Sequence, residues 1–183
     1  MKYKILLSAI SALALSACGG TQGSQAFEEQ VESAELSDAA EIPTSGTASY
    51  QGAVEVTLGE GFSNGGVDGY GKVAMTTDFA TNSVTGSMDQ FTAGENGDEF
   101  DGSLSIAASY DQKAADPKSS IIGTLSGRLE QGSDSLTVDG DLSAGFYGDT
   151  GDIIKGNAEG QAELVQNGQS GSTSFTAEFA ATE

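Results

Sequence analysis

The sequence predicts an all-β fold: a single eight-stranded antiparallel up-and-down β-barrel, preceded by a signal peptide and a flexible acidic tether. Three observations carry that expectation. From residue 47 onward, apolar and polar residues alternate with a period of two in eight successive runs, the pattern of strands with one dry and one wet face. Turn-forming pairs such as Thr81-Asn82, Gly132-Ser133 and Asn167-Gly168 separate the runs. With 26 Gly, the 183-residue chain is too glycine-rich for a helical bundle, and with 37% hydrophobic residues it is too apolar for a solvated tail. The chain divides into 1–17 (signal peptide), 18–46 (lipidated Cys and tether) and 47–183 (barrel domain).

Lys2 and Lys4 precede an apolar stretch from Ile5 to Leu15. A spanning helix needs about 20 residues, so this 11-residue stretch reads as the core of a secretory signal. It ends in Leu15-Ser16-Ala17-Cys18-Gly19, which resembles the bacterial lipobox, where a lipid is attached to the Cys and the signal is cut just before it. An ordinary signal peptide with an incidental Cys is the alternative. The lipobox is preferred because Cys18 is the chain's only cysteine, and a lone secreted thiol is otherwise a liability. Cleavage would leave 5 basic residues against 27 acidic ones, a net charge of −22. Gly19, standing where inner-membrane lipoproteins commonly have Asp, resembles an outer-membrane destination.

Gly19 to Gln25 is small and polar. Ala26 to Glu41 is acidic and Ala-rich, and reads either as a short helix with Phe27 and Val31 on one face or as a charged spacer. Pro43 ends it. The strand faces then follow in order: Val54, Val56, Leu58; Val73, Met75, Phe79; Val84, Gly86, Met88; Phe100 to Tyr110 on even positions; Ile121 to Leu129 on odd positions; Leu136 to Phe146; Ile154 to Leu164; and Phe175, Ala177, Phe179, Ala181. Inward glycines at 86, 102, 123, 127, 140, 156 and 160 suit strands bending around a closed barrel. Closure removes the sheet's edges, so the barrel is favoured over an open β-sandwich. A transmembrane barrel is disfavoured, because its outward face would set Asp, Glu, Lys and Ser against lipid.

Composition excludes several functions. A net charge of −20 without a basic cluster repels nucleic acid. The absence of His removes imidazole acid–base catalysis and, with one Cys, the usual transition-metal sites.

The segment Val138 to Ala158, with Gly145-Phe146-Tyr147-Gly148 at its centre, resembles the late strand pair of transferrin-binding protein B β-barrel domains. Asp149 stands where that family commonly has Pro, and Lys155-Gly156-Asn157 approximates its Gly-Gly strand start. Gly71 to Phe79 and Val84 to Met88 resemble the family's earlier strand pair, so the likeness covers roughly 47–181. The resemblance, to the transferrin-binding protein-like solute-binding family, implies a bacterial surface lipoprotein. Family members bind host iron carriers, complement regulators or haem, and many similar single-barrel lipoproteins have no assigned ligand. No iron-carrier contact residue is carried over to this chain.

Candidate chemistry is sparse. Gly61-Phe62-Ser63-Asn64-Gly65 matches the hydrolase nucleophile elbow but has no His to accept the serine proton, and no Lys follows a Ser at the Ser-x-x-Lys spacing. Glu95 to Asp101, and Asp149 with Asp152, offer oxygen ligands to a hard cation without the spacing of a calcium loop. Met75, Met88, Tyr110 and Tyr147 are the available haem ligands, the first three facing the core. The expectation is therefore a non-enzymatic envelope lipoprotein without a cofactor or bound transition metal. It would be anchored through lipid on Cys18, at the outer membrane or cell surface, and would capture a protein or small ligand from host or environment. The alternative is a structural lipoprotein that captures nothing.

Overall fold

The computed structural model describes residues 33–59, 67–93, 98–166 and 168–183. Period-two alternation over these residues becomes eight strands: β1 (Thr47–Leu58), β2 (Val67–Asp78), β3 (Ser83–Ala93), β4 (Asp98–Tyr110), β5 (Ile121–Gln131), β6 (Asp134–Tyr147), β7 (Ile153–Gln166) and β8 (Gln169–Thr182). Each pairs antiparallel with its neighbours in sequence, and β1 pairs with β8 from Gln51↔Thr182 to Leu58↔Phe175, closing the barrel. The predicted up-and-down barrel is the observed fold. Strands of this length tilted as in other barrels give a body about 30–35 Å long.

The inward faces are those expected from the alternation except at Gly102, which is exposed because a bulge on β4 turns it out of the inward face. Val54, Val73, Val84, Met88, Leu104, Leu125, Leu142, Ile154 and Phe175 are all at most 2% exposed and fill the interior. Two inward glycines show how the ring closes on so much side-chain volume. Gly140 and Gly160 lie opposite each other on β6 and β7, and the Phe175 ring occupies the room a Gly140 side chain would take. A Cβ on Gly160 would collide with the Asp139 carbonyl and the Gly140 backbone.

Two bulges interrupt the alternation. On β3, Gln90 adopts φ 55° and is skipped in both pairings, and on β4 Gly102 sits beside it at φ 109°. The extra residue reverses the parity of β3, so Phe91 turns inward where strict alternation from Met88 would turn it out.

The connections β2–β3, β4–β5 and β6–β7, the start of β1 and the end of β8 share one end of the barrel, here the tether end. The other four connections share the far end. At the tether end Asp116 accepts the Lys118 amide at 3.0 Å and caps a 3-10 turn, Pro117–Ser119. Residues 33–46, assigned by sequence to the tether, run over this end, and 33–41 contain no helix. Phe27 and Val31 lie outside the described residues.

Candidate functional site

The tether end is built around Gly145-Phe146-Tyr147-Gly148, where β6 outruns β5. The last β5 partner on β6 is Ala144, opposite Ile121. Gly145 then passes close to the 3-10 turn, where a Cβ would stand 2.7 Å from the Pro117 carbonyl. Phe146 turns inward and is 1% exposed. Its ring packs edge-on to Tyr110 at 4.9 Å and tilted against Phe79 at 5.9 Å and Tyr50 at 6.3 Å. Tyr147 points outward and is half-buried beneath the Lys155 ammonium, 4.3 Å from its ring centre. Gly148 leaves the strand at φ 85°, a conformation that favours glycine.

Beyond Ala144 the β6 backbone is free to pair on its β5 side, and residues 35–37 take that edge. The Ser37 amide donates to the Phe146 carbonyl at 3.0 Å, and the Gly148 amide donates to the Glu35 carbonyl at 2.9 Å. These bonds flank a Leu36–Tyr147 bridge. The Ser37 hydroxyl donates to the Gly148 carbonyl at 2.6 Å. On one side Lys155 Nζ reaches the Ala34 carbonyl at 3.3 Å; on the other Gln112 Nε2 reaches that of Ala39 at 2.7 Å. Ile42 is buried in the mouth of the barrel. Residues 33–42 thus form a strap across the tether end, with Pro43 to Gly46 leading into β1.

The β6–β7 turn is tied to the first strand and to the residue that follows the last. Tyr50 donates its hydroxyl to the Gly151 carbonyl at 2.8 Å, and the Glu183 amide donates to the Asp152 carbonyl at 2.9 Å. Burial, and then the carboxylates of Glu183 and Asp152, hold the Tyr50 phenol far above its ordinary value of 10.0. Tyr110 and Tyr147 are also raised, chiefly by burial, with Asp111 and Asp116 respectively adding to it. A cavity of about 50 Å³ lies between the strap, the β4–β5 connection and the Tyr110 and Phe146 rings. It has room for one or two water molecules and none for a haem. A shallow uncharged hollow of about 370 Å³ lies on the outer face of β1–β3, lined by Ser49, Gln51, Thr76, Thr85 and Ser87 among others.

The sequence-predicted residues fall as follows. Cys18, Ser63 with its glycines, and Glu95 to Gly97 lie outside the described residues. Asp98, Glu99 and Asp101 are exposed along β4, and Asp149 and Asp152 are exposed in the β6–β7 turn. Among the described residues no three His, Cys, Asp or Glu side chains converge as metal ligands. Met75 and Met88 are packed in the core, and Tyr110 is packed against Phe146. Sequence reasoning did not find the strap. Its signal is Ile42, a large apolar residue at the end of an acidic segment and directly before Pro43.

The sequence matches no protein-family profile and no curated protein. Among solved structures the chain is similar to an intact transferrin-binding protein B, Ap-TbpB with its N and C lobes. The TM-score is 0.54 at 16% identity, over 81% of this chain and 28% of that one. It is similar also to a double mutant of transferrin-binding protein B, a vaccine antigen from Haemophilus parasuis Hp5, with TM-score 0.50 at 18% identity, over 81% and 28%. The chain therefore spans under a third of the length of these proteins, and at such identity the likeness speaks to the fold. Eight strands closed in sequential order give the chain the fold of a transferrin-binding protein B β-barrel domain.

Proposed function

We propose that the chain is a lipid-anchored lipoprotein of the bacterial envelope, carried at the outer membrane or cell surface through Cys18, whose barrel captures a partner on its outside. One observation carries the mode of capture: the described interior is filled by side chains, so nothing the size of a haem can be held within it. A partner must be met by the outer wall or by the connections, which favours a protein over an enclosed small ligand. The fold likeness to proteins named for binding transferrin supports capture, and the lipobox supports the anchor. No constellation among the described residues supports an enzyme.

Three measurements test this. Palmitate labelling of cells should mark the wild-type protein and not Cys18→Ala; equal labelling would overturn the anchor. A photo-crosslinker placed at Ser133, on the far end, should then trap a defined partner on intact cells. Absence of any adduct from Ser133 and from a second position at Thr85 would favour the structural lipoprotein. Haem titrated into the mature chain should leave its Soret band unshifted.

A further inference from the structure

We propose that the strap, residues 33–42, seated on the Gly145–Gly148 end of β6, shortens and aims the membrane anchor, so that the barrel stands with its far end outward. This rests on the reading of Cys18 as the lipid site. The argument is one of reach. From Cys18 to Ser33 the chain has residues 19–32, which fully stretched span at most about 50 Å. Were the strap not seated, the span between lipid and barrel would extend to Gly46, residues 19–46, and its upper limit would double to about 100 Å. Turning the barrel over requires the leash to run the length of the body. That takes about two thirds of the shorter span at its upper limit but only a third of the longer one.

The seat suits this role because its bonds are spread across the mouth. Lys155 holds the strap on β7, the Phe146 and Gly148 backbone holds it on β6, and Gln112 holds it on the β4–β5 connection, with Ile42 sunk between. A pull on Ser33 is therefore delivered to the wall of the barrel beside β7, and not to the Pro43–Gly46 link, where it would let the body swivel.

The test uses the lipidated chain in vesicles, with a fluorophore on either Lys113→Cys at the tether end or Ser133→Cys at the far end, and an acceptor on the lipid headgroups. With the strap seated, the label at 113 is quenched more than the label at 133. Ser37→Pro with Ile42→Asp removes the Phe146 bond and the buried anchor, and should bring the two quenching values together. Circular dichroism confirms that the barrel remains folded, and hydrogen exchange at the Gly148 amide reports whether the strap has left. Equal quenching in the wild type, or a difference that survives loss of Gly148 protection, would overturn the role. Absence of palmitate on Cys18 would remove the anchor itself, whereas equal quenching on a palmitate-bearing chain would sink the strap's role alone.

Discussion

Phe146 joins three aromatic rings from β1, the β2–β3 turn and β4, so its truncation leaves a hole that these three elements would have to close. Phe146→Ala should cost roughly 3–5 kcal/mol, a large share of a small domain's stability. Ser143→Ala, on the outward face of the same strand, should be near neutral in the same denaturant series. Tyr50 sets a second expectation. Its phenol is raised in the folded state, so the unfolded chain ionises first as pH climbs. The stability is intact below about pH 10 and drains away above it as the unfolded state loses protons the folded state keeps. Melting temperature should fall from pH 9 to pH 11, and Tyr50→Phe should flatten that fall while costing about 1 kcal/mol at neutral pH for the lost Gly151 bond. Phe146 was legible in the sequence from its parity with Leu142 and Ala144. Tyr50 shares parity with Val54, so its inward direction was legible as well; its bond to Gly151, 101 residues away, was not.

At the scale of the strand, glycine has two roles that sequence alone does not separate. Gly160 faces the Asp139 carbonyl across the β6–β7 pair, and Gly171 on β8 faces open space. Gly160→Ala should destabilise by roughly 1–3 kcal/mol through overpacking against backbone. Gly171→Ala should be neutral or stabilising by about 0.4–1 kcal/mol through the unfolded chain. A chemical-denaturation series distinguishes the two. Charge is also decided strand by strand. Asp141 stands directly opposite Glu159, both exposed, a like-charge pairing that costs stability. Glu159→Lys should recover about 0.2–1 kcal/mol at low salt, and less as salt screens the pair. The strands themselves were legible because a half-wet strand must alternate. The bulge at Gln90 was not: nothing in Asp89-Gln90-Phe91 marks an extra residue, and the inward turn of Phe91 is imposed by β4.

For the molecule as a whole, the closed ring followed from eight runs and short connections, since an up-and-down sheet of that number can pair its last strand with its first and lose its edges. The strap did not follow. Its backbone bonds to Phe146 and Gly148 depend on β6 outrunning β5, an offset between two strands that no single run encodes. Acidic residues at 35, 38 and 41 gave the segment the look of solvated chain, and they do point outward while its backbone and Ile42 hold the seat.

The pairing of β1 with β8 means that the order in which the strands are synthesised is incidental to the order in which they bond. Glu183 lies beside the Asp152 carbonyl at the end where β1 begins, and beyond the Gln51–Thr182 pair β1 continues for four residues, about 13 Å, to Thr47. A linker of about five residues would bridge that gap. A chain rewired in this way and opened at Gly132-Ser133, a far-end turn whose Gly132 side would meet nothing, keeps every strand pair of the parent while β6 becomes its first strand. It should fold to the same circular dichroism spectrum, and its new terminus would offer a place to attach a tail at the end opposite the new linker.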